Sequence, residues 1–286
     1  MNSLLKTSAS VCMQNLRKWR TDYRVWTIAA LMIIMVEIYV DDFRKISTGL
    51  DTEMPVWIFP FLYSQFHTKL IYTFPLILLF CNAPFIDSNQ VFVYLRTGRK
   101  KWLCGQIFYI AAASALYYVF LFLVSIISTV PYGGDLADWG KTLMTTAYSN
   151  AAQLFDSPFV EIYPKILEYF YPLQAVWFTF LMSWLCGIMI GLIMFLCNYL
   201  TETRFVGLAI TSGLLALTVP VRRGYWDLIY VSPISWNTLD CIDVGQTTKL
   251  PPFTYCLSVY MGLISVLTAA IFIFGGKKSL DVKEDQ

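Results

Sequence analysis

The chain has 286 residues, of which 57% are hydrophobic, 17% aromatic and only 14% charged. A soluble domain carries roughly 25% charged residues, so a deficit sustained over this length excludes an ordinary soluble domain. A formal net charge of +2, with the basic residues gathered at the ends of apolar runs, gives no footing for nucleic acid.

A polar lead, 1–24, comes first. Leu4, Leu5, Val11, Leu16 and Trp19 alternate there with Lys6, Arg17, Lys18 and Arg20, the pattern of a helix lying along a membrane surface; a plain solvated tail is the alternative. Six apolar runs follow, each near the 17 to 25 residues that a helix needs to cross a hydrocarbon core of roughly 30 Å. They are Val25 to Val40, Lys69 to Ile86, Trp102 to Val130, Pro172 to Leu200, Phe205 to Val221 and Tyr255 to Gly275. The first is not a cleaved signal peptide: it ends in Glu37-Ile-Tyr-Val-Asp-Asp, with no small-residue cleavage site. The expected fold is therefore all-α and integral to a membrane, with six transmembrane helices in one domain, 1–286.

Lys and Arg counts set the orientation. With the N-terminus inside, thirteen of the 21 basic residues fall in inner segments and eight in outer ones, while twelve of the 19 acids are outside. Both termini are accordingly expected in the cytoplasm. The inner links are short, and the outer ones are longer and crowded with aromatics and prolines (Asp41 to Thr68, 131–171 and 222–254). Backbone that is not helical survives at membrane depth only where protein or a watery cavity satisfies it. Short outer-surface or re-entrant helices are thus expected around Pro55 to Phe66 and, before the last span, Trp226 to Asp240.

Chemistry-bearing motifs are scarce. No GxxxxGK[ST] phosphate loop occurs, so ATP is not hydrolysed by this chain. Seven scattered cysteines form no CxxC pair and His67 is the single histidine, which leaves no basis for a Cys/His zinc site or a Ser-His-Asp triad. No catalytic, metal-binding or cofactor-binding residue is assigned. Glu37 is the one ionisable residue expected inside a span, and its distance of about a turn from Asp41 lets it reach the interface. Gly187 and Gly191 form a GxxxG pattern that permits close helix packing, within the chain rather than across a dimer. Cys241 and Cys256 both fall outside and are a candidate disulfide.

The most informative segment is the inner link 87–101. Asp87 or Ser88 caps a short helix, Val91, Phe92, Tyr94 and Leu95 supply apolar contacts, and Gly98 stops it. Arg96, Arg99, Lys100 and Lys101 add the positive flank. Anionic lipid alone would require only the cations, whereas a capped amphipathic helix with aromatics is a docking knob for a soluble partner.

Leu79-Phe-Cys-Asn-Ala-Pro-Phe-Ile-Asp-Ser-Asn-Gln followed by Tyr94-Leu-Arg-Thr-Gly-Arg-Lys-Lys-Trp-Leu resembles the second-to-third-span link of bacterial ABC-2-type transporter permeases. Tyr230-Val-Ser-Pro-Ile-Ser-Trp236 is similar to the outer segment before the last span of the same family. The resemblance implies the transmembrane permease subunit of an ATP-binding-cassette transporter in the bacterial plasma membrane. It pairs with a second permease subunit and rests, through a coupling helix at 87–101, on two ABC ATPase subunits that bind ATP and Mg. Export of an amphipathic or hydrophobic cargo is the family tendency. A non-transporting immunity or sensor protein related to permeases, and a membrane-embedded enzyme, stand as alternatives.

Overall fold

The computed structural model describes residues 2–85, 88–134, 137–243 and 249–275, with backbone alone for 2, 3 and 88–91. Every regular element among them is helical. In chain order these are α1 (Asn2–Arg17), α2 (Tyr23–Leu50), α3 (Phe66–Phe80), α4 (Ser88–Thr97), α5 (Arg99–Thr129), α6 (Gly140–Tyr148), α7 (Ala151–Leu154), α8 (Pro164–Tyr169), α9 (Pro172–Thr201), α10 (Arg204–Ala216), α11 (Thr218–Arg222) and α12 (Phe253–Gly275). Five are long and apolar enough to cross a membrane: α2, α5, α9, the α10–α11 run and α12. An all-helical chain with this set of helices has the character of a multi-pass membrane protein.

The run expected at 69–86 differs from the other five. Its helix, α3, has 15 residues, about 22 Å at 1.5 Å per residue, and gives way to a turn at 81–84; Ile86 lies outside the described residues. In the chain ahead of it, Met54, Val56, Ile58, Phe59, Phe61, Leu62 and Tyr63 are all buried around a 3₁₀ turn at Phe59–Phe61. Two prolines interrupt regular helix there. Backbone buried without a helix needs internal partners, and Tyr39 provides one, its hydroxyl donating to Phe61 O at 3.0 Å. The second expected segment, 226–240, is likewise a series of 3₁₀ turns (Trp226–Val231, Pro233–Asn237, Leu239–Cys241) rather than α-helix.

α2 is longer than the apolar run within it. The Asp22 carboxylate caps its start, accepting from Arg24 N at 3.0 Å, and the helix then continues through Asp41, Asp42, Arg44 and Lys45 to Leu50. Its 28 residues reach about 42 Å, so a ten-residue extension stands beyond the expected span. That extension is a platform for the loop 149–163. Asp42, only 3% exposed, accepts from Lys45 Nζ at 2.9 Å and Phe159 N at 3.3 Å.

α9 is the central post. Pro172 opens it, Gln174 Oε1 accepts from Tyr171 N at 3.3 Å, and two thirds of its most apolar stretch is buried, against 11% for the peripheral α12. Gly187 and Gly191 set its distance from α5. A Cβ at Gly187 would lie 3.0 Å from Ser114 Cβ, and one at Gly191 would lie 2.4 Å from Ile110 Cγ2. The GxxxG pattern therefore packs α9 against α5 inside the chain. Exposed apolar side chains on the outward faces of α2, α5 and α12, such as Ile34, Ile127 and Val266, form the surface that a bilayer covers.

The lead is not a free tail. Ser8, Val11, Cys12 and Asn15 are buried because α1 packs along the start of α5, its contacts ascending in step. Ser8 Oγ donates to Lys101 O at 3.0 Å, Asn15 Nδ2 to Gln106 Oε1 at 2.9 Å, and Trp19 Nε1 to Tyr109 OH at 2.9 Å. Gly105 permits the approach, since a Cβ there would lie 2.6 Å from Val11 Cβ.

Candidate functional site at the basic end of the bundle

α1, α4 and the turn before α10 share one end of the bundle, together with Arg17, Lys18, Arg20, Arg96, Arg99, Lys100, Lys101 and Arg204. α4 is a ten-residue helix joined to α5 through Gly98 alone, whose φ of 79° favours glycine. Of the residues singled out in this segment, Asp87 lies outside the described residues, as does the side chain of Val91. Phe92 and Leu95, one turn apart, are 72% and 74% exposed, and Arg96 is exposed beside them. Together they form a compact apolar knob with a cationic rim.

Tyr94 faces the other way. It was grouped with Phe92 as a contact for a partner, yet its ring packs edge-on against Trp102 with centroids 5.7 Å apart, and its hydroxyl accepts from Arg99 Nε. Trp102, 1% exposed, meets Phe195 at 6.3 Å, and Phe195 stacks on Tyr199 at 5.9 Å. The Tyr199 hydroxyl then donates to Gly275 O at 3.5 Å. One face of α4 is thus open, while the other is keyed through four aromatic rings into the ends of α5, α9 and α12. Arg99 serves this inner face, whereas Arg96 serves the outer one.

Asn198, buried in the last turns of α9, holds the turn that precedes α4. Its Nδ2 donates to Cys81 O at 3.3 Å and to Ala83 O at 3.1 Å, while its Oδ1 accepts from Gly207 N at 3.0 Å. Gly207 is the residue that fits there, because a Cβ would lie 2.4 Å from Asn198 Oδ1. Phe205, at the start of α10, is 80% exposed on the same end. Sequence reasoning passed over both Asn198 and Phe205. A lone asparagine closing an otherwise apolar 30-residue run was the available signal.

Comparison with known protein families, curated proteins and solved structures returns no match.

The opposite end is tied by a polar network that the sequence reading also missed. Lys69 was counted as an outer flank, with Glu37 as the single ionisable residue inside a span. In the structure α3 begins at Phe66 and Lys69, rather than lying exposed, is 1% exposed. Its Nζ donates to Ser235 O at 3.1 Å and Thr238 Oγ1 at 3.2 Å, binding α3 to the 3₁₀ turns. Nearby, Arg222 Nη2 pairs with Asp240 Oδ2, their side chains 13% and 1% exposed, and Arg222 Nη1 donates to Tyr163 OH at 2.8 Å. Burial, with Asp240 adding to it, pushes the Tyr163 phenol up, and the same two causes raise the Cys241 thiol. Cys241 and Cys256 stand as separate buried thiols. Glu37 is exposed, accepts from Ser128 Oγ, and borders a groove with Asp41, Arg44, Lys45 and Asp156. His67 is exposed beside Phe66.

Proposed function

We propose that this chain is the permease subunit of an ATP-driven membrane exporter, and that α4 is the helix on which a nucleotide-binding subunit rests. The observation that carries this reading is the two-faced build of α4. Phe92 and Leu95 are exposed to a degree that nothing in a solvated loop calls for, while Tyr94 and Arg99 key the opposite face into three long helices. A partner that grips the open face moves the keyed face with it. Apolar anchors with a charged rim are the pattern of energetic hot spots at protein interfaces. The resemblance of 79–103 to the corresponding link of ABC-2-type permeases supports the same reading. In this account ATP, with Mg, is bound and hydrolysed by two partner subunits.

The topology of the proposal is six crossings with the basic end in the cytoplasm of a bacterial cell. α3 makes the second crossing with the buried segment 54–65 completing its depth, and a second permease copy lies alongside. Lys69, Arg222 and Asp240 lock the outer end, so motion imposed at α4 is passed along α5 and α9 against a fixed abutment. A two-state bundle shifts only through contacts that differ between its states, and α4 supplies the place where ATP-bound and ATP-free partners differ. Cargo of amphipathic or hydrophobic character fits the apolar, aromatic outer half.

A photo-crosslinking residue at position 92 or 95, in cells of the native host, tests the assignment. Capture of a subunit that carries a phosphate-binding loop and hydrolyses ATP supports it. Crosslinks confined to lipid, with a control residue at position 138 giving the same pattern, contradict it.

A further inference from the structure

The turn ahead of α2 and α2 itself each meet α5. Trp19 Nε1, in the turn ahead of α2, donates to Tyr109 OH at 2.9 Å at the basic end; further in, Tyr117 OH donates to Tyr72 O at 2.7 Å and lies 3.0 Å from Met32 Sδ. Beside these contacts is a groove of about 430 Å³, with Ala29 and Met32 of α2 on one wall and Leu116 and Val119 of α5 on the other. From Leu116 to Leu123 the groove follows α5 for about 10 Å. Its lining is apolar except at the mouth. There Arg20 is the single charged lining residue, between Trp19 and Trp26, and Trp26 Nε1 donates to Arg20 O at 3.2 Å. Both indoles are therefore fixed, as aromatic belts fix the headgroup level. Arg17, Lys18 and Arg24 flank Arg20 in sequence, together with Asp22, which caps α2.

We propose that this groove is a binding site for one anionic phospholipid, with an acyl chain lying between α2 and α5 and the headgroup phosphate against Arg20. Two features select that occupant over the fluid lipid around the other helices. Its apolar run of about 10 Å along α5 takes part of an acyl chain. The cations at its mouth complement a phosphate, and a basic cluster flanking a span is the pattern that attracts anionic lipid. The site involves neither α4 nor any ATPase, so it stands or falls separately from the docking role of α4.

Native mass spectrometry of the purified chain, loaded with equal amounts of phosphatidylglycerol and phosphatidylcholine of the same acyl chains, tests it. One phosphatidylglycerol per chain is expected to survive, favoured at least fivefold over phosphatidylcholine. Arg20→Gln, an exposed change, is expected to bring the two lipids within twofold of each other. Ala29→Phe and Val119→Trp fill the groove from opposite walls, and each is expected to abolish retention of both lipids while helix content by circular dichroism stays unchanged. Equal retention of the two lipids by the unaltered chain overturns the proposal, and so does undiminished phosphatidylglycerol in both groove-filling variants. If those two variants fail to fold, Arg20→Gln decides by itself: an unchanged lipid ratio overturns the headgroup assignment.

Discussion

Asn198→Leu removes three hydrogen bonds at once with little change in volume. The two carbonyls of the 81–84 turn lose a donor and Gly207 N loses an acceptor, and all three sit at the junction of α9, α10 and the approach to α4. Side-chain hydrogen bonds inside membrane proteins contribute about 0.6 kcal/mol each on average, so three give about 2 kcal/mol. A buried amide left unmet adds about 1–3 kcal/mol, which sets the expected loss at about 3–5 kcal/mol. Unfolding of the purified protein in mixed micelles by increasing SDS, followed by circular dichroism, reads this as an earlier midpoint. Backbone hydrogen exchange at 81–85 and at Gly207 is expected to quicken more than exchange in the middle of α9. A variant with an unshifted midpoint and unchanged exchange at Gly207 would show that Asn198 does not latch the turn, and the account of how α4 is held would fail with it.

Asp240→Ala strips the buried carboxylate from Arg222 and leaves two buried cations nearby. Loss of one partner from such a pair is expected to destabilise by about 3–5 kcal/mol, whereas the joint change Arg222→Met with Asp240→Leu recovers most of it; equal losses in the single and joint variants refute the pairing argument. Gly191→Ala puts a methyl 2.4 Å from Ile110 Cγ2 and 3.2 Å from the Phe80 ring, an overpacking worth about 1–3 kcal/mol in the same SDS titration; a neutral result means that α5 and α9 are less closely set than described. In a cysteine-free background, a single cysteine at Asp138 is expected to react with an impermeant maleimide in intact cells, and one at Lys100 only after permeabilisation; labelling at Lys100 in intact cells inverts the proposed topology.

The helical, membrane-embedded character was legible from long apolar runs, because helix formation in lipid follows from the demand that every backbone group be satisfied. Features that depend on pairs distant in sequence were not legible. Lys69 reads as a flank because the residues that satisfy it, Ser235 and Thr238, lie more than 160 positions away. Asn198 reads as one polar residue in an apolar run until the turn at 81–84 folds against it. α2 overran its apolar stretch because Asp42 is buried by the 155–159 loop and Lys45 can reach it, so charge did not end the helix. At the candidate site, the segment 87–101 and its stop at Gly98 were visible from composition, but the facing of its side chains was not. Phe92 and Tyr94 are two residues apart, and on a helix such neighbours diverge; Leu95, three residues on, shares the open face instead.

The central claim is that the open face of α4 binds an ATPase subunit, and the affinity of that subunit for the Phe92→Ala/Leu95→Ala double variant tests it most directly. Truncating anchors of this kind at an interface costs about 2 kcal/mol or more, which is a loss of about thirtyfold at 1.4 kcal/mol per tenfold. Both side chains are exposed in the chain alone, so its SDS unfolding midpoint is expected to stay in place. The account predicts at least thirtyfold weaker binding of the ATPase subunit with that midpoint unchanged. Binding within threefold of the unaltered chain would contradict it.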